Sequence, residues 1–123
     1  NATFRAPLSM LDLLPTGGGV GTMNNMGAIQ LVNRREIVAA DAFIEVVIWR
    51  LPRPTPPCDH RYKYRLAYVV REVCVIRYDN ERGKGDQRHV DGREREYVFR
   101  DIEKLIEDFR ADIRRWDSAN RNS

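Results

Sequence analysis

Two apolar runs separated by a two-residue turn constrain the fold of this chain most strongly. In YKYRLAYVV (62–70) every second residue is apolar or aromatic, and a period of two is typical of a β-strand with one buried face. The run VCVIRY (73–78) follows after only Arg71 and Glu72. So short a connection predicts that the two strands pair antiparallel as a hairpin.

Two earlier strands and one later strand extend this hairpin in the prediction. Ile29, Leu31, Ile37 and Val38 indicate a first strand. Residues 42–51 are rich in β-branched and aromatic side chains and indicate a second one, with a turn expected between the two near Ala40 and Asp41. The segment LPRPTPPCDH (51–60) holds four prolines within six residues and must be a loop. A short last strand is predicted over residues 97–99.

The C-terminal part has the pattern of one amphipathic helix. Its apolar residues recur at i, i+3, i+4, i+7, i+11 and i+14, namely Ile102, Leu105, Ile106, Phe109, Ile113 and Trp116. This spacing predicts a helix of about four turns whose apolar stripe packs on the sheet. Asp101 is placed to cap its first turn. We therefore predict an α+β fold, an antiparallel sheet of about five strands with one C-terminal helix packed on a face.

The chain is predicted to contain one folded domain. Residues 1–26 combine two prolines, a run of three glycines and no sustained period of 2 or 3.6, so we predict a flexible N-terminal arm. Met23 and Met26 are candidate start residues, in which case the preceding residues are upstream sequence. The domain is predicted over residues 27–118, and residues 119–123 are predicted to be a disordered tail.

Composition narrows the class of protein. Of the 123 residues, 42% are hydrophobic and 32% are charged, which fits a globular domain rather than a collagen-like or disordered polymer. The chain has no run of about 18 apolar residues and no convincing signal peptide, so we predict a cytoplasmic protein without a membrane partner. The two cysteines, Cys58 and Cys74, fit neither a zinc motif nor a disulfide framework.

Positive charge is concentrated in the middle of the chain. The net charge is only +3, from 21 Lys and Arg against 18 Asp and Glu. Residues 1–59 carry five cations and five anions, residues 60–100 eleven and seven, and residues 101–123 five and six. The middle segment therefore has a net charge of +4. This excess suits a polyanion such as RNA, and it equally suits an ordinary charged strand surface.

The segment RYDNERGKGDQRH (77–89) carries the densest set of reactive side chains, inside a stretch (79–92) predicted to be a loop or irregular ribbon. Its glycines would let backbone amides approach a phosphate, and its histidine can move a proton near neutral pH. With Glu45, which shares a strand face with apolar residues, the predicted catalytic residues are His89, Asp86, Lys84, Asp79 and Glu45. The predicted phosphate-binding residues are Arg65, Arg77, Arg82 and Arg88. A solvated hairpin with charges of both signs is the alternative interpretation.

No cofactor is predicted. A divalent metal held by Glu45, Asp79, Asp86 and a histidine is conceivable, although no ligand spacing indicates such a site. The chain contains no G-x-S-x-G, H-E-x-x-H or dinucleotide-binding motif. His60 gains interest only if the fold brings it close to His89.

Four segments together resemble the TumE family, small bacterial proteins described as toxins of toxin–antitoxin pairs. They are AFIEVVIWRLP (42–52), YKYRLAYVV (62–70), VIRYDNERGKGDQRH (75–89) and IEKLIEDFRADIRRW (102–116). The most specific element is RYDN-x-x-GKGD-x-RH, and the resemblance covers roughly residues 27–117. It implies a small helix-turn-helix antitoxin as partner and toxicity in its absence. It brings no agreed catalytic set.

The chain departs from this family pattern at two places. Gln87 stands where histidine is common in the family (KGDHRH), and Arg71-Glu72 replaces a turn of the Asp-Gly type. If the missing histidine were catalytic, His89 would be the remaining candidate.

Three functional hypotheses follow. The first is a toxin that acts on RNA as an endoribonuclease, in which the cations hold phosphates, His89 serves as acid or base, and Asp79, Asp86 or Glu45 orients it. The second is a non-catalytic module that binds nucleic acid or protein. The third is a metal-dependent phosphate-transfer enzyme. The sequence leaves the oligomeric state open, including a homo-oligomer.

Overall fold

The computed structural model of the chain describes residues 22–23 and 27–121. Within them the chain forms one antiparallel sheet followed by a single helix, α1, over Ile102–Asn120. The strands are Thr22–Met23 (β1), Ile29–Ala39 (β2), Ala42–Arg50 (β3), Tyr62–Val70 (β4), Val73–Glu81 (β5), Gly85–Val90 (β6) and Arg93–Glu96 (β7). Each strand pairs with the next one along the chain, so the sheet is a meander in sequence order. The α+β prediction is confirmed, with seven strands in place of about five.

Tight turns set the register of this meander. The β4–β5 turn falls at Arg71 and Glu72 as predicted, and both residues have positive φ, 50° and 69°. Asp91 and Gly92 form the β6–β7 turn with φ of 51° and 79°. Two successive residues of positive φ match the natural twist of a two-residue hairpin, so these turns hold the strands in a single pairing.

The core lies between the sheet and α1. The central strands β3, β4 and β5 contribute alternate side chains, among which Val46, Leu66 and Ile76 are fully buried. They pack against the apolar stripe of α1, whose buried members are Leu105, Ile106, Phe109 and Ile113. The predicted helix face is therefore confirmed.

Helix α1 begins where the sequence predicts. Asp101 is its N-cap, and the Asp101 carboxylate accepts a hydrogen bond of 2.7 Å from the backbone amide of Lys104. The helix continues to Asn120, and Arg121 pairs with Asp41 at 2.7 Å. Residues 119–121, assigned to a disordered tail by the sequence, therefore belong to the folded unit. Within the described residues, no helix is long and apolar enough to cross a membrane.

Two predictions about secondary structure are wrong. Residues 79–92 are not a loop, because β5 continues to Glu81 and β6 begins at Gly85. The last strand is Arg93–Glu96 rather than residues 97–99. Both errors have one cause: these strands carry polar side chains on both faces, and alternation of apolar and polar residues is the signal that reveals a strand.

Most of the predicted N-terminal arm, residues 1–26, lies outside the described residues. The exception is β1, in which Thr22 and Met23 pair with Gln30 and Ile29 of β2.

Candidate functional site

The sheet has two chemically different faces. Even-numbered residues of β3 and β4, and those of β5 and β6 from Ile76 onwards, point towards α1; examples are Ile44, Leu66 and Tyr78. Odd-numbered residues of β3 and β4, and those of β5 and β6 from Arg77 onwards, point the other way. This second surface is called the open face below. Its polar members are Glu45, Lys63, Arg65, Arg77, Asp79, Glu81, Gln87 and His89.

The strand register lines up a row of ionisable side chains across the open face. Glu45 pairs with Ala67, Ala67 with Arg77, Arg77 with His89, and His89 with Glu94. Ala67 lies between Glu45 and Arg77 in this row and is fully buried. Because its side chain is small, the longer side chains of its neighbours can extend over it.

His89 holds the central position for proton chemistry. Its Nε2 atom lies 2.9 Å from Nη2 of Arg77 and 2.9 Å from Oε1 of Glu94. A guanidinium only donates and a carboxylate only accepts, so Nε2 can satisfy only one of them at a time. A protonated ring forms an ion pair with Glu94, whereas unprotonated Nε2 accepts from Arg77. Nδ1 has no hydrogen-bond partner among the described residues, which leaves it for a ligand.

Two arginines on the open face are each paired with a carboxylate. Nη1 of Arg65 donates to Oε1 of Glu45 at 2.8 Å, and Nε of Arg77 lies 3.1 Å from Oδ2 of Asp79. The Arg65 side chain is 46% exposed and that of Arg77 is 33% exposed. Their carboxylate partners hold the guanidinium groups in place while enough surface remains for an incoming phosphate.

The predicted site residues divide between three places. Five of the nine meet on the open face, and the other four do not: Arg82 and Lys84 are exposed beside the β5–β6 turn, while Asp86 and Arg88 point to the α1 side. The segment 77–89 therefore does not form a single site. The reason is that successive residues of a strand point to opposite faces of the sheet.

Asp86 belongs to a separate polar network under the proline-rich loop. Its carboxylate accepts a hydrogen bond from the Tyr64 hydroxyl at 2.6 Å and lies 2.9 Å from Nε2 of His60. Sγ of Cys58 is 3.6 Å from the same carboxylate, and Phe99 packs on the His60 ring at a centroid distance of 4.0 Å. This network ties the loop to β6, and it places His60 beside Asp86 rather than beside His89.

Cys58, His60 and Asp86 have the chemistry of metal ligands, and their ligand atoms lie within 4.8 Å of one another. The hydrogen bonds favour a different use. Nδ1 of His60 accepts from the backbone amide of Tyr62 at 3.1 Å, so the neutral ring carries its proton on Nε2 and donates it to Asp86. A metal on Nε2 would displace this proton and require Nδ1 to carry the other one, but the Tyr62 amide hydrogen already points at Nδ1.

The Cys58 thiol is not activated as a nucleophile. Burial raises its pKa, and the neighbouring Asp86 carboxylate raises it further. A thiol in such surroundings stays protonated at neutral pH, whereas catalytic cysteines have a lowered pKa.

Arg88 has a buried partner of its own. Its Nε and Nη2 atoms donate to the two oxygens of Asp112 at 2.6 and 2.7 Å, and the Asp112 side chain is 1% exposed. The Tyr78 hydroxyl and Arg115 donate to the same carboxylate. These hydrogen bonds outweigh the effect of burial and lower the pKa of Asp112. Arg88 therefore joins β6 to α1.

The structure adds residues that the sequence analysis missed. Glu94 contacts His89 from β7, a strand that was not predicted, so no signal marked it. Trp49 was also missed, because it shares its strand face with Phe43 and Val47, and an aromatic residue among apolar neighbours gives no signal of a binding surface. It lines a cavity on the open face together with Lys63 and Arg65.

Comparison with known proteins identifies the family. Neither a curated protein nor a solved structure gives a significant match to the chain. A family model described as Toxin TumE matches residues 21–117. The matched range contains all seven strands, both faces of the sheet and most of α1. The chain therefore belongs to the TumE family and is the toxin of a toxin–antitoxin system, with an antitoxin as its partner.

Proposed function

We propose that this toxin is a metal-independent endoribonuclease whose active site is the open face. The observation that carries the proposal is the position of His89. Its Nε2 lies between a permanent donor on Arg77 and a permanent acceptor on Glu94, and its Nδ1 has no partner among the described residues. An imidazole between these two groups can gain or lose a proton while the ring stays in the same position, which general acid–base catalysis requires.

The neighbouring charges suit a phosphodiester. Arg77 and Arg65 are the proposed ligands of the scissile phosphate, and guanidinium groups bind phosphate oxygens in pairs. Asp79 and Glu45 keep these arginines in place. As the phosphorus becomes five-coordinate, negative charge grows on its oxygens, and fixed cations stabilise that charge more than they stabilise the substrate.

The proposed step uses the 2′-hydroxyl of the RNA as nucleophile. Nδ1 of His89 takes the 2′-hydroxyl proton while the 2′-oxygen bonds to the adjacent phosphorus. The bond from phosphorus to the 5′-oxygen breaks, and water protonates the leaving oxygen. The products are a 2′,3′-cyclic phosphate and a 5′-hydroxyl. The Glu94 carboxylate, 2.9 Å from Nε2, stays ionised and stabilises the imidazolium that forms.

In the proposed step water protonates the leaving oxygen because the residue at position 87 is a glutamine, which cannot act as a general acid. Gln87 lies on the open face two positions before His89, and histidine is common there in the family. Two histidines in alternate positions of one strand are separated by about 6.6 Å, so they can stand on either side of one phosphate. With glutamine at position 87, this chain keeps one half of that pair, and we expect its cleavage to be slow.

Arg82 and Lys84 extend the positive surface beyond the scissile phosphate, at the exposed β5–β6 turn. We assign them to RNA binding rather than to proton transfer, since Lys84 lies outside the row that contains His89. The antitoxin is proposed to be a helix-turn-helix protein, as the family resemblance implies, and both proteins would act in the cytoplasm.

The test compares wild-type toxin with His89→Ala and Arg77→Ala in growing cells that lack the antitoxin. We expect wild-type toxin to arrest growth and fragment RNA, with fragments that end in a cyclic phosphate, and both variants to be harmless. Arg114→Ala is the matched control, since it removes an exposed arginine from α1. Growth arrest with intact RNA would overturn the ribonuclease proposal and favour a toxin that only binds its target.

A further inference from the structure

Trp49 is an aromatic residue on the open face that the fold does not explain. It lies in β3 and is only partly exposed, yet it belongs neither to the core nor to the partly buried residues packed against the core. Within the described part of the chain its indole makes no hydrogen bond and no contact with another ring. Exposing so large an apolar surface costs free energy, so a ligand for this ring is the natural reason to keep it.

Cations stand directly beside this ring. The register of β3 and β4 pairs Trp49 with Lys63, and Val47 with Arg65. These four side chains line a cavity of about 260 Å³ on the open face. Val47 and Trp49 form an apolar wall. The polar part of the lining holds Lys63 and Arg65 together with three carboxylates, Glu45, Asp79 and Glu81, of which Glu45 is ion-paired with Arg65 and Asp79 with Arg77. Nζ of Lys63 donates to the backbone oxygen of Asn80 at 3.2 Å and has no ion-pair partner among the described residues, so its charge remains for a phosphate. A nucleotide combines a flat apolar base with an anionic phosphate and could use the indole and this lysine together.

The cavity continues from the proposed catalytic residues. In the strand register Arg65 lies opposite Asp79. The Asp79 carboxylate is ion-paired with Arg77, and Arg77 contacts His89. From Arg65 to Lys63 is two residues along β4, a step of about 6.6 Å. A chain of phosphates that starts at the scissile phosphate therefore meets Arg65 and then Lys63.

We infer that Trp49 and Lys63 form a subsite for one unpaired nucleotide next to the scissile phosphate, which makes single-stranded RNA the substrate. This inference rests on the proposed ribonuclease function. The base stacks on the Trp49 indole and Lys63 binds the adjoining phosphate. Paired bases inside a duplex are stacked on one another and cannot enter such a recess, whereas bases of a single strand can turn outwards.

The surface beyond Lys63 suits a longer strand. Lys63 also lines a second cavity, of about 790 Å³, between the proline-rich loop and the end of β5. Its lining includes Arg53 and Arg82 as further cations and Glu81 as an anion. The two cavities share Lys63, and together their lining holds four cations against three carboxylates, two of which are ion-paired with arginines. They provide a continuous path for several nucleotides.

The experiment measures binding separately from cleavage. The probe is a fluorescently labelled 2′-O-methyl RNA of about 12 nucleotides, which lacks the nucleophilic hydroxyl and stays intact. Its affinity for the full chain is measured by anisotropy, both as a single strand and in a duplex. The variants are Trp49→Ala, Trp49→Phe and Lys63→Ala, and Arg114→Ala on α1 is the control for loss of one positive charge.

We expect the single strand to bind at least 10-fold more tightly than the duplex. Loss of one stacked base predicts a 5- to 150-fold weaker affinity in Trp49→Ala, with most of it restored in Trp49→Phe. Lys63→Ala should weaken binding and reduce the dependence on salt by about one phosphate contact, while Arg114→Ala binds like wild-type toxin.

Two outcomes would overturn the inference in distinguishable ways. If wild-type toxin cleaves ordinary RNA but Trp49→Ala and Lys63→Ala bind the probe as wild-type toxin does, the subsite is wrong and the proposed function stands. Equal affinity for single strand and duplex leads to the same conclusion. If wild-type toxin neither binds the probe nor cleaves RNA, the proposed function fails, and the subsite fails with it.

Discussion

Replacing Arg88 by methionine tests whether this residue stabilises the fold or binds RNA. The sequence places Arg88 among the phosphate ligands, but in the structure its guanidinium is committed to Asp112 by two hydrogen bonds of 2.6 and 2.7 Å. Methionine keeps much of the length and apolar surface of the side chain and removes only the charged donors. Arg88→Met therefore leaves the buried Asp112 carboxylate with two donors, Tyr78 and Arg115.

The expected loss of stability follows from the hydrogen bonds and the ion pair that Asp112 loses. Each hydrogen bond to a charged group contributes about 1.5–3 kcal/mol, and breaking a buried ion pair costs about 3–5 kcal/mol. Because Arg115 still neutralises the carboxylate in part, we expect the lower end, a loss of about 3 kcal/mol in the free energy of unfolding. For a domain of about 100 residues this corresponds to a fall in Tm of roughly 12–24 °C.

The assay is urea unfolding of the purified toxin, followed by tryptophan fluorescence at pH 7 and at pH 3.5. Arg77→Met is the matched control, since its ion pair with Asp79 is more exposed and should contribute less than about 1 kcal/mol. Conversely, Arg77→Met should abolish RNA cleavage, whereas Arg88→Met should retain it at temperatures where the variant is folded.

The pH dependence supplies a second check. Because hydrogen bonds lower the pKa of Asp112 in the folded protein, its contribution to stability is present above the ordinary pKa of 3.8 and is lost as the pH falls below it. In Arg88→Met the carboxylate is poorly paired, so protonation relieves the penalty. The difference in stability between the two proteins should therefore shrink at pH 3.5. A variant that unfolds like wild-type toxin at pH 7 but no longer cleaves RNA would refute the reasoning.

Three further predictions concern single side chains. Gln87→His should raise the initial rate of RNA cleavage by about 100-fold or more by supplying a general acid, and an unchanged rate would contradict the role of the open face. Burial raises the pKa of Asp117, so its stabilising effect is largest at low pH and declines as the pH rises through that raised pKa. Urea unfolding between pH 4 and 6 should accordingly depend less on pH in Asp117→Asn than in the wild-type toxin. Because the pKa of the Cys58 thiol is raised, iodoacetamide should alkylate Cys58 more slowly in the folded toxin than in the urea-unfolded chain, as mass spectrometry of the modified peptide would show.

The parts of the fold that were predictable are those with one apolar face. Strands β3 and β4 and helix α1 were assigned correctly because their buried side chains repeat with the period of the element. Asp101 was found as the N-cap because a carboxylate before an apolar stripe can accept the amide hydrogen bonds that begin a helix. In each case the information lay within a few neighbouring residues.

The polar hairpin β6–β7 escaped prediction for the opposite reason. Its α1 side is occupied by Asp86 and Arg88, whose partners His60 and Asp112 are 26 and 24 residues away in sequence. A buried polar side chain that is satisfied from so far away looks like a loop residue in the sequence. For the same reason the sequence does not reveal Glu94 as a site residue, because it is identified only when β7 is placed next to β6.

Successive residues of β6 point to opposite faces of the sheet, so those that stabilise the fold alternate with those on the open face. Asp86 and Arg88 bind the proline-rich loop and α1, while Gln87 and His89 lie on the open face. The two ion-paired residues fix the register of the strand, because a shift by one residue would turn His89 towards Asp112 and expose Arg88. Asp86 and Arg88 thus keep His89 in position, and neither of them needs to touch RNA. The charged residues of this motif therefore form two interleaved sets: one holds the strand in register, and the other lies on the open face, where we propose that it binds RNA and reacts.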